Sequence, residues 1–549
     1  MAMLGLSHTQ AGGLVSIHIS DRPTAGVPHP VLGERVVDFS MSLFVPFLSF
    51  WIAVFLHERY VSYNNEIMLS YEPLQRKSCQ VMTTWLGLAG FMMNAMMVPL
   101  SLDLAFSLGQ SATASGLFVG AQLVAGIVGT LLGRLLVNEL EWAQFFVRRV
   151  LIFIFWFLSF AALANACFYN WTAQSSQVNL IWWIAIGYNS MLNLIAAIPG
   201  VMCVVLWTKV THPGNRTMWT FIGQCSRNAG MTIGPLAFLL VSRMVVRGGE
   251  PVNPRSMMAW VCIFSAVLNL MSLTIAVFGI PTELPHALPE ALSEEGSFQL
   301  SGEARPEDLD DSGRQTVYWK IVLYFCERPL TLAAIEVSTT MMLELLYGWD
   351  AYHSGFCFTI MCPAGIVLAI VLKSLINAGI VREPNVYFGS MVVSVLGCAL
   401  LFDEGNAGPT TLIAAGTMIY TGAACANGIA DGWGSRAAKE GTGFGQAQFQ
   451  LLKMLAISLA RFTGDLLGRF LVDYGGRNMY AAFQLLLCLA GAHTAYGACR
   501  PLWAKEREGE SGETLENEEA ESTKGTSGRK LLQAPEDSPN PSEASPMQR

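Results

Sequence analysis

The sequence predicts an all-α integral membrane protein with twelve transmembrane helices arranged in two six-helix halves. Its 549 residues are 52% hydrophobic and only 13% charged, whereas about 25% of the residues in a soluble domain are charged. The apolar residues form continuous runs of about 20 residues or more, which is the length a helix needs to cross a bilayer. The runs are uninterrupted rather than alternating, so they indicate helices and not barrel strands.

An acidic stretch divides the apolar runs into two equal groups. The predicted spans are 82–106, 112–136, 149–169, 179–208, 217–241, 257–279, 317–346, 354–379, 385–403, 409–432, 446–472 and 479–502. The first six form an N-terminal half within residues 81–280, and the last six form a C-terminal half within residues 316–503. The short loops on one side carry more Lys and Arg than those on the other, which places both ends of the twelve spans in the cytoplasm.

Two polar segments are predicted to be disordered. Residues 281–315 carry nine acidic against two basic side chains, which is typical of a solvated cytoplasmic linker. The C-terminal segment, 504–549, is also acidic. The N-terminal segment, 1–80, contains an apolar run at 41–56 that a thirteenth span, an interfacial helix or a packing element would each explain. We favour one of the last two interpretations because the run is short for a span.

The sequence lacks the motifs of soluble catalysis. No C-x-x-C pair occurs among the twelve cysteines, and no nucleotide-binding loop or metalloprotease motif is present. We therefore expect no enzymatic activity, no cofactor, no bound metal and no nucleic-acid partner. The expected partners are the lipid bilayer and a small-molecule or ion substrate, and the expected oligomeric state is a monomer.

Two stretches of the N-terminal half resemble the major facilitator superfamily. One is the turn L-G-x-S-x-x-x-S-G from Leu108 to Gly116. The other is the end of the fifth span, where Gly230, Gly234 and Pro235 form G-x-x-x-G-P. Glycines at this spacing let helix backbones approach closely, which we expect at the interface between the halves, and the proline bends the helix. The resemblance implies the major facilitator fold and a secondary transporter.

Within that superfamily the sequence is most similar to the SPX-MFS vacuolar phosphate transporters and to lysosomal carriers of the ceroid-lipofuscinosis type. The similarity rests on Glu336 and the hydroxyl residues after it, on Ser435-Arg436, and on Leu459-Ala460-Arg461-x-x-x-Asp465. It implies phosphate as the substrate and a vacuolar or lysosomal membrane, with the plasma membrane as the alternative. The sequence departs from this group because it lacks an SPX domain and has no basic residue in the fourth span.

Charged residues inside apolar spans indicate the substrate path, because each is costly unless it is paired or faces water. The candidates are Asp103, Arg227, Glu336, Asp431, Lys453, Arg461 and Asp465. Glu336 is the first candidate for substrate binding or proton coupling, the alternative being a structural carboxylate held by hydroxyl groups. Asp103 is the second candidate for proton coupling, the alternative being a solvated charge at the outer mouth.

Arg227 is the anion-binding candidate of the N-terminal half, with a salt bridge to a neighbouring helix as the alternative. Arg461 and Asp465 are four residues apart, which predicts a structural ion pair on one helix face, although a substrate-binding role for Arg461 is equally open. Lys453 begins its helix, so we expect it to extend towards the cytoplasmic surface.

The remaining candidates are a gate and a polar lining. Asp431, Arg436 and Lys439 lie together at the cytoplasmic end of the tenth span and are predicted to form a closure gate. Asn189 and Asn193 in the fourth span are predicted to bind substrate in the central cavity, with interhelical hydrogen bonds as the alternative.

These observations predict a secondary active transporter that works by alternating access and moves a small anion, with phosphate first by resemblance and with possible proton coupling. Three alternatives remain: a passive anion channel of the same fold, a transporter of another small organic solute, and a scaffold that transports nothing.

Overall fold

The computed structural model describes residues 73–140, 146–210, 216–245, 253–280, 304–403, 408–439 and 442–527. Within these ranges the regular elements are α-helices and one short 3₁₀ turn at Pro306–Asp308. The helices are α1 (Pro73–Ser107), α2 (Ala112–Leu140), α3 (Phe146–Trp171), α4 (Val178–Val210), α5 (Arg216–Val245), α6 (Pro254–Gly279), α7 (Asp311–Tyr347), α8 (Ala351–Asn377), α9 (Glu383–Ala399), α10 (Pro409–Ala437) and α11 (Gln446–Ser527). The all-α fold class is thus confirmed.

The last helix is two helices joined at a single residue. Gly476 has φ 67° and ψ −170°, a conformation that interrupts the helix and that glycine adopts without a steric penalty. We refer to residues 446–475 as the first arm of α11 and to residues 477–527 as its second arm. Ten helices and two arms give twelve segments in the described part of the chain, one for each predicted span.

Most of these segments have the composition of membrane spans. Nine stretches of the described residues are long and apolar enough to cross a bilayer, and one of them runs through Gly476 and so includes both arms of α11. The two segments outside this set are α9, which has 17 residues, and α5, which carries polar side chains such as Gln224 and Arg227. Polar residues are tolerated in a span that faces protein or water rather than lipid.

The helices pack as two groups. In the N-terminal half, α1 lies against α5 and α6, and α2 packs along α4; in the C-terminal half, α7 lies against α11, and α10 packs between α8 and α9. The halves meet where α2 runs along α11 and where α5 runs along α8. The main apolar core draws residues from both halves.

The G-x-x-x-G motif acts within a half and not between the halves, which corrects the prediction. A Cβ on Gly230 would lie 2.3 Å from the carbonyl oxygen of Leu88 on α1. In the C-terminal half, a Cβ on Gly464 of α11 would lie 2.5 Å from the carbonyl oxygen of Leu330 on α7. Each half therefore contains a pair of helices whose backbones touch because one helix presents glycine.

The two acidic segments are more ordered at their edges than the sequence suggested. Within the segment expected to be a disordered linker, α7 already begins at Asp311, where the side chain of Asp310 caps the helix by accepting from the Gly313 amide. At the other end of the chain the second arm of α11 continues to Ser527, past the expected start of a disordered tail at residue 504. The apolar run at 41–56 lies outside the described residues.

Candidate functional site

Glu336 lies at the centre of a buried polar cluster. Its side chain is on α7 and is only 1% exposed. The carboxylate accepts hydrogen bonds from Asn94 Nδ2 of α1 at 3.0 Å and from the Tyr420 hydroxyl of α10 at 2.5 Å. It also pairs with the guanidinium of Arg461 on the first arm of α11. One carboxylate thus joins four helices and both halves.

The ion pair of Arg461 differs from the predicted one. Its guanidinium pairs with Glu336 on α7 and not with Asp465 one turn along its own helix. The glycine contact between α11 and α7 explains the difference, because it brings the two backbones close enough for Arg461 to cross to the neighbouring helix. Asp465 is 2% exposed and lies in the same buried region.

Arg227 faces the space between the two halves. Its guanidinium carbon lies 5.9 Å from the centre of the Phe91 ring, and the guanidinium carbon of Arg461 lies 5.3 Å from the same ring. Arg227 is on α5 of the N-terminal half and Arg461 on α11 of the C-terminal half, so Phe91 marks the contact between the halves. Arg227 is nevertheless exposed. Its exposed surface therefore lies beside the opposite half and not against lipid.

Arg227 also differs from the other cations near this cluster in its partners. Among the described residues, the acidic partners of Arg461 and Lys453 are Glu336 and Asp431, whereas Arg227 has no carboxylate within 4.0 Å. Lys453 does not extend to the surface as predicted: its ammonium lies 2.6 Å from Asp431 Oδ1, and its side chain is 15% exposed.

The predicted gate residues separate into different ion pairs. Asp431 pairs with Lys453 of α11, as described above. Arg436 pairs with Glu383 of α9 at 3.0 Å, and Lys439 pairs with Asp311 of α7 at 2.6 Å. All of these partners belong to the C-terminal half. The three residues therefore do not form one cluster that bridges the two halves, although adjacent positions in sequence suggested it.

The asparagines of α4 make interhelical hydrogen bonds. Asn189 Oδ1 accepts from Asn165 of α3 at 3.3 Å, and Asn193 Nδ2 donates to Gln122 of α2 at 2.9 Å. Both contacts stay within the N-terminal half, so the structural alternative accounts for these two residues. Asn94 of α1, by contrast, does reach the central carboxylate.

Asp103 lies on α1, partly buried and nine positions beyond Asn94. At 1.5 Å per residue, it is about 13 Å along the helix axis from the Glu336 cluster. The structure therefore separates the two residues predicted for proton coupling.

Sequence reasoning missed Arg469, which is fully buried on the first arm of α11. Its guanidinium donates to the Val98 carbonyl at 2.8 Å, to the Ser101 hydroxyl at 2.9 Å and to the Ser115 hydroxyl. The three acceptors are on α1 and α2, so this one side chain ties the C-terminal half to the N-terminal half. A signal was present, because Arg469 is eight residues after Arg461 and interrupts an apolar run.

A second buried charge pair was also missed. Arg328 on α7 is fully buried, and its Nε lies 3.7 Å from Glu327. Near it, the Tyr324 hydroxyl donates to Asn427 of α10 at 2.6 Å. These contacts hold α7 inside the C-terminal half and do not face the opposite half.

Comparison with known proteins gives a fold but no close relative. No family model and no curated protein matches the sequence. The structure is similar to that of a D-xylose–proton symporter, with a TM-score of 0.54 and 13% identity over 75% of this chain and 96% of that one. It is also similar to a bacterial homolog of the human lysosomal transporter Spinster in an inward-facing, unoccupied conformation, with a TM-score of 0.52 and 10% identity over 79% of this chain and 99% of that one. The chain has the major facilitator fold.

A third similar structure is the peptide transporter POT in complex with sulfate, with a TM-score of 0.54 and 13% identity over 79% of this chain and 97% of that one. In the major facilitator fold described here, the Glu336 cluster and Arg227 lie where the two six-helix halves meet. Among the residues that the structure describes, no group of three or more His, Cys, Asp or Glu side chains is placed to hold a metal ion.

Proposed function

We propose that this protein is a secondary carrier that moves a small anion across a membrane by alternating access. The observation that carries the proposal is the position of Arg227, an exposed residue whose guanidinium lies between the two halves, beside Phe91 and Arg461. Carriers bind substrate near the membrane midplane between two rocking units. The similar structures named above include transporters, which agrees with this function.

The charges around the cleft favour an anionic substrate. Glu336 neutralises Arg461, and Asp431 neutralises Lys453. Arg227 remains without a carboxylate within 4.0 Å among the described residues, so it is the guanidinium of this set that is available to an anion. A guanidinium offers a planar set of donors that fits phosphate, sulfate or carboxylate oxygens. An anion bound at Arg227 would therefore neutralise this guanidinium before the halves close around it.

Glu336 supplies a route for proton coupling. When Glu336 binds a proton, Arg461 loses its negative partner and becomes available to the anion. Anion binding and protonation then favour each other, since coupling between two ligands is reciprocal. The anion and the proton would cross together. If the proton were bound without the anion, Arg461 would have no negative partner. If the anion were offered without the proton, Glu336 would already neutralise Arg461. Asp103 is the alternative proton site, and its distance from Arg461 gives it no such link to the anion.

Phosphate is the first substrate to test, because the segments around Glu336, Arg436 and Arg461 resemble those of the vacuolar phosphate carriers. The same similarity favours a vacuolar or lysosomal membrane, with the plasma membrane as the alternative. A fluorescent fusion of the full chain, imaged with markers for each membrane, distinguishes these locations.

The test is uptake by purified protein in liposomes. Labelled phosphate, sulfate, chloride and small carboxylates are offered separately, with and without a pH gradient. We expect saturable uptake of one anion class that increases when the side of entry is acidic. The variant Arg227→Gln should raise the half-saturation concentration about tenfold or more, which corresponds to losing a hydrogen bond to a charged group. Arg149→Gln removes an exposed cation at the start of α3 and should leave uptake unchanged.

Other outcomes would replace the proposal. Ionic currents that do not saturate would identify a channel of the same fold. Saturable uptake of neutral solutes alone would identify a carrier for another class of substrate. If no solute is taken up by protein that is folded and correctly inserted, a scaffold role becomes the better explanation.

A further inference from the structure

One face of the second arm of α11 is directed away from the rest of the protein. Gln484 donates to the Thr331 carbonyl of α7 at 3.4 Å. Further along, the Cys499 thiol lies 3.5 Å from the Pro384 carbonyl of α9, so this side of the arm packs inside the C-terminal half. His493 is exposed and lies nine positions after Gln484, so at 100° per residue it projects from the opposite side of the helix. In a membrane that outer face meets lipid.

His493 lies well inside the membrane and not at its edge. Trp503 is ten positions after it, next to the start of α9, where its indole donates to Asn385 at 3.0 Å. Arg477, which begins the arm at the opposite end, is sixteen positions before it. At 1.5 Å per residue these separations are about 15 Å and about 24 Å along the helix, too far for an imidazole to reach water. Among the described residues the imidazole makes no hydrogen bond, and a polar side chain at this depth is costly in lipid unless it has a partner.

His493 occupies one position of a regular seam along this outer face. Six exposed side chains are spaced alternately by three and four residues, which is the heptad spacing of a coiled coil. They are Met479, Ala482, Leu486, Leu489, His493 and Tyr496. Leu486 is 68% exposed and Leu489 is 48% exposed, so accessible apolar side chains precede the imidazole along the seam. In a coiled coil, a single polar residue at such a position fixes the register and the number of helices.

We propose that this seam is the interface of a homodimer in the membrane, with the two His493 imidazoles hydrogen bonded to each other. Two copies inserted in the same orientation are related by a two-fold axis along the membrane normal, so a seam residue near that axis meets its equivalent. A neutral imidazole has one N–H donor and one acceptor nitrogen. A pair of imidazoles therefore forms a hydrogen bond without any other group, whereas acyl chains offer neither a donor nor an acceptor.

A second copy supplies what lipid lacks at this surface. Lipid tails are as apolar as leucine, so transmembrane helices are held together by close packing and by interhelical hydrogen bonds. Ala482 is the small residue of the seam and allows the two backbones to approach. The dimer replaces the monomer expected from the sequence. It is independent of the proposed transport function, since the seam lies on the outer surface and Arg227 and Glu336 take no part in it.

The test is single-molecule photobleaching of the full chain, fused to one fluorescent protein, in liposomes at several protein-to-lipid ratios. We expect the fraction of two-step events to rise with protein density. His493→Leu should lower the association constant about three- to tenfold, which corresponds to losing one interhelical hydrogen bond. His493→Asn keeps a donor and an acceptor and should associate like the wild type. Thr494→Val is the control, because that hydroxyl donates to the Ala490 carbonyl of its own helix, and it should leave association unchanged.

A second measurement keeps His493 and locates the seam. With copper phenanthroline as the oxidant, Leu486→Cys should cross-link two copies through a disulfide, above the background given by the native cysteines of the wild type. Val367→Cys on α8, a position that is 62% exposed but outside the seam, should stay at that background. A wild type that is monomeric at every density would overturn the proposal. Equal association of His493→Leu and the wild type, or equal cross-linking at positions 486 and 367, would overturn it as well, because the contact would then not be this seam.

Discussion

Replacing Glu336 by glutamine changes one charge at the junction of the two halves. Gln is nearly isosteric with Glu: its amide oxygen can keep the hydrogen bond from Asn94 Nδ2, and its amide NH2 can donate to the Tyr420 hydroxyl, which then accepts instead of donating. The contact that is lost is the ion pair with Arg461. The variant therefore isolates the effect of leaving that guanidinium without its carboxylate.

The size of the effect follows from burial. Removing one partner of a buried ion pair costs about 3–5 kcal/mol when the other charge stays buried. The Glu336 side chain is 1% exposed and that of Arg461 is 12% exposed, so Arg461 keeps some contact with water in the cleft. We therefore expect Glu336→Gln to lower the free energy of unfolding by about 2 kcal/mol and Tm by about 2 °C. The double variant Glu336→Gln/Arg461→Gln removes both charges and should be more stable than Glu336→Gln.

Thermal unfolding in detergent, with and without anion, measures both parts of this prediction. An anion that binds only the folded protein raises its free energy of unfolding by RT ln(1 + [L]/Kd). Because the variant frees Arg461, the transported anion should raise its Tm more than it raises that of the wild type. Uptake by the variant should also lose its response to a pH gradient. A Tm equal to that of the wild type, together with an unchanged shift on adding anion, would refute the assignment of Glu336 as the partner that Arg461 exchanges for substrate.

Three further predictions follow from contacts described above. Gly230→Ala should destabilise the protein by about 1–3 kcal/mol in the same thermal assay, because the new Cβ would meet a backbone oxygen of α1 at 2.3 Å. The control is Gly223→Ala on the same helix, whose Cβ would meet nothing within 4 Å and which should be neutral. Equal effects of the two variants would contradict this packing. Arg469→Gln should weaken the contact between the halves and increase labelling of a Ser101→Cys reporter by a membrane-impermeant thiol reagent, and unchanged labelling would exclude this role. Asn193→Ala should lower Tm without changing the half-saturation concentration for uptake, and a changed concentration would restore Asn193 to the substrate site.

The sequence predicted the order of the helices in the described part of the chain because a continuous apolar run has one stable solution in lipid. Each run must satisfy its backbone internally, and a helix does so whatever its neighbours are. The same local reasoning located Glu336 and Arg227, because a charge inside an apolar run is visible without knowing the fold. Arg469 is also a charge inside an apolar run, so the same criterion identifies it when every position of the run is considered.

Partners could not be predicted, because they depend on how helices are rotated and how closely they approach. Arg461 and Asp465 have the spacing of an ion pair, but the close approach of α11 to α7 gives Arg461 a different carboxylate. Asn189 and Asn193 are on the correct helix for a cavity, but they project towards α3 and α2. Sequence spacing specifies a face within one helix, whereas a binding site requires several helices to present their faces to the same space.

The turn at Gly476 joins the first arm of α11 directly to a clamp of buried hydrogen bonds at the ends of three other helices of the C-terminal half. The next residue, Arg477, is buried and binds the Leu401 carbonyl at the end of α9, the Tyr347 hydroxyl at the end of α7 and the Thr411 hydroxyl at the start of α10. No flexible loop separates this clamp from the first arm of α11, which carries Arg461. In the proposed transport cycle, a tilt of that arm on exchange of the Arg461 partner would therefore act on three helix ends at once.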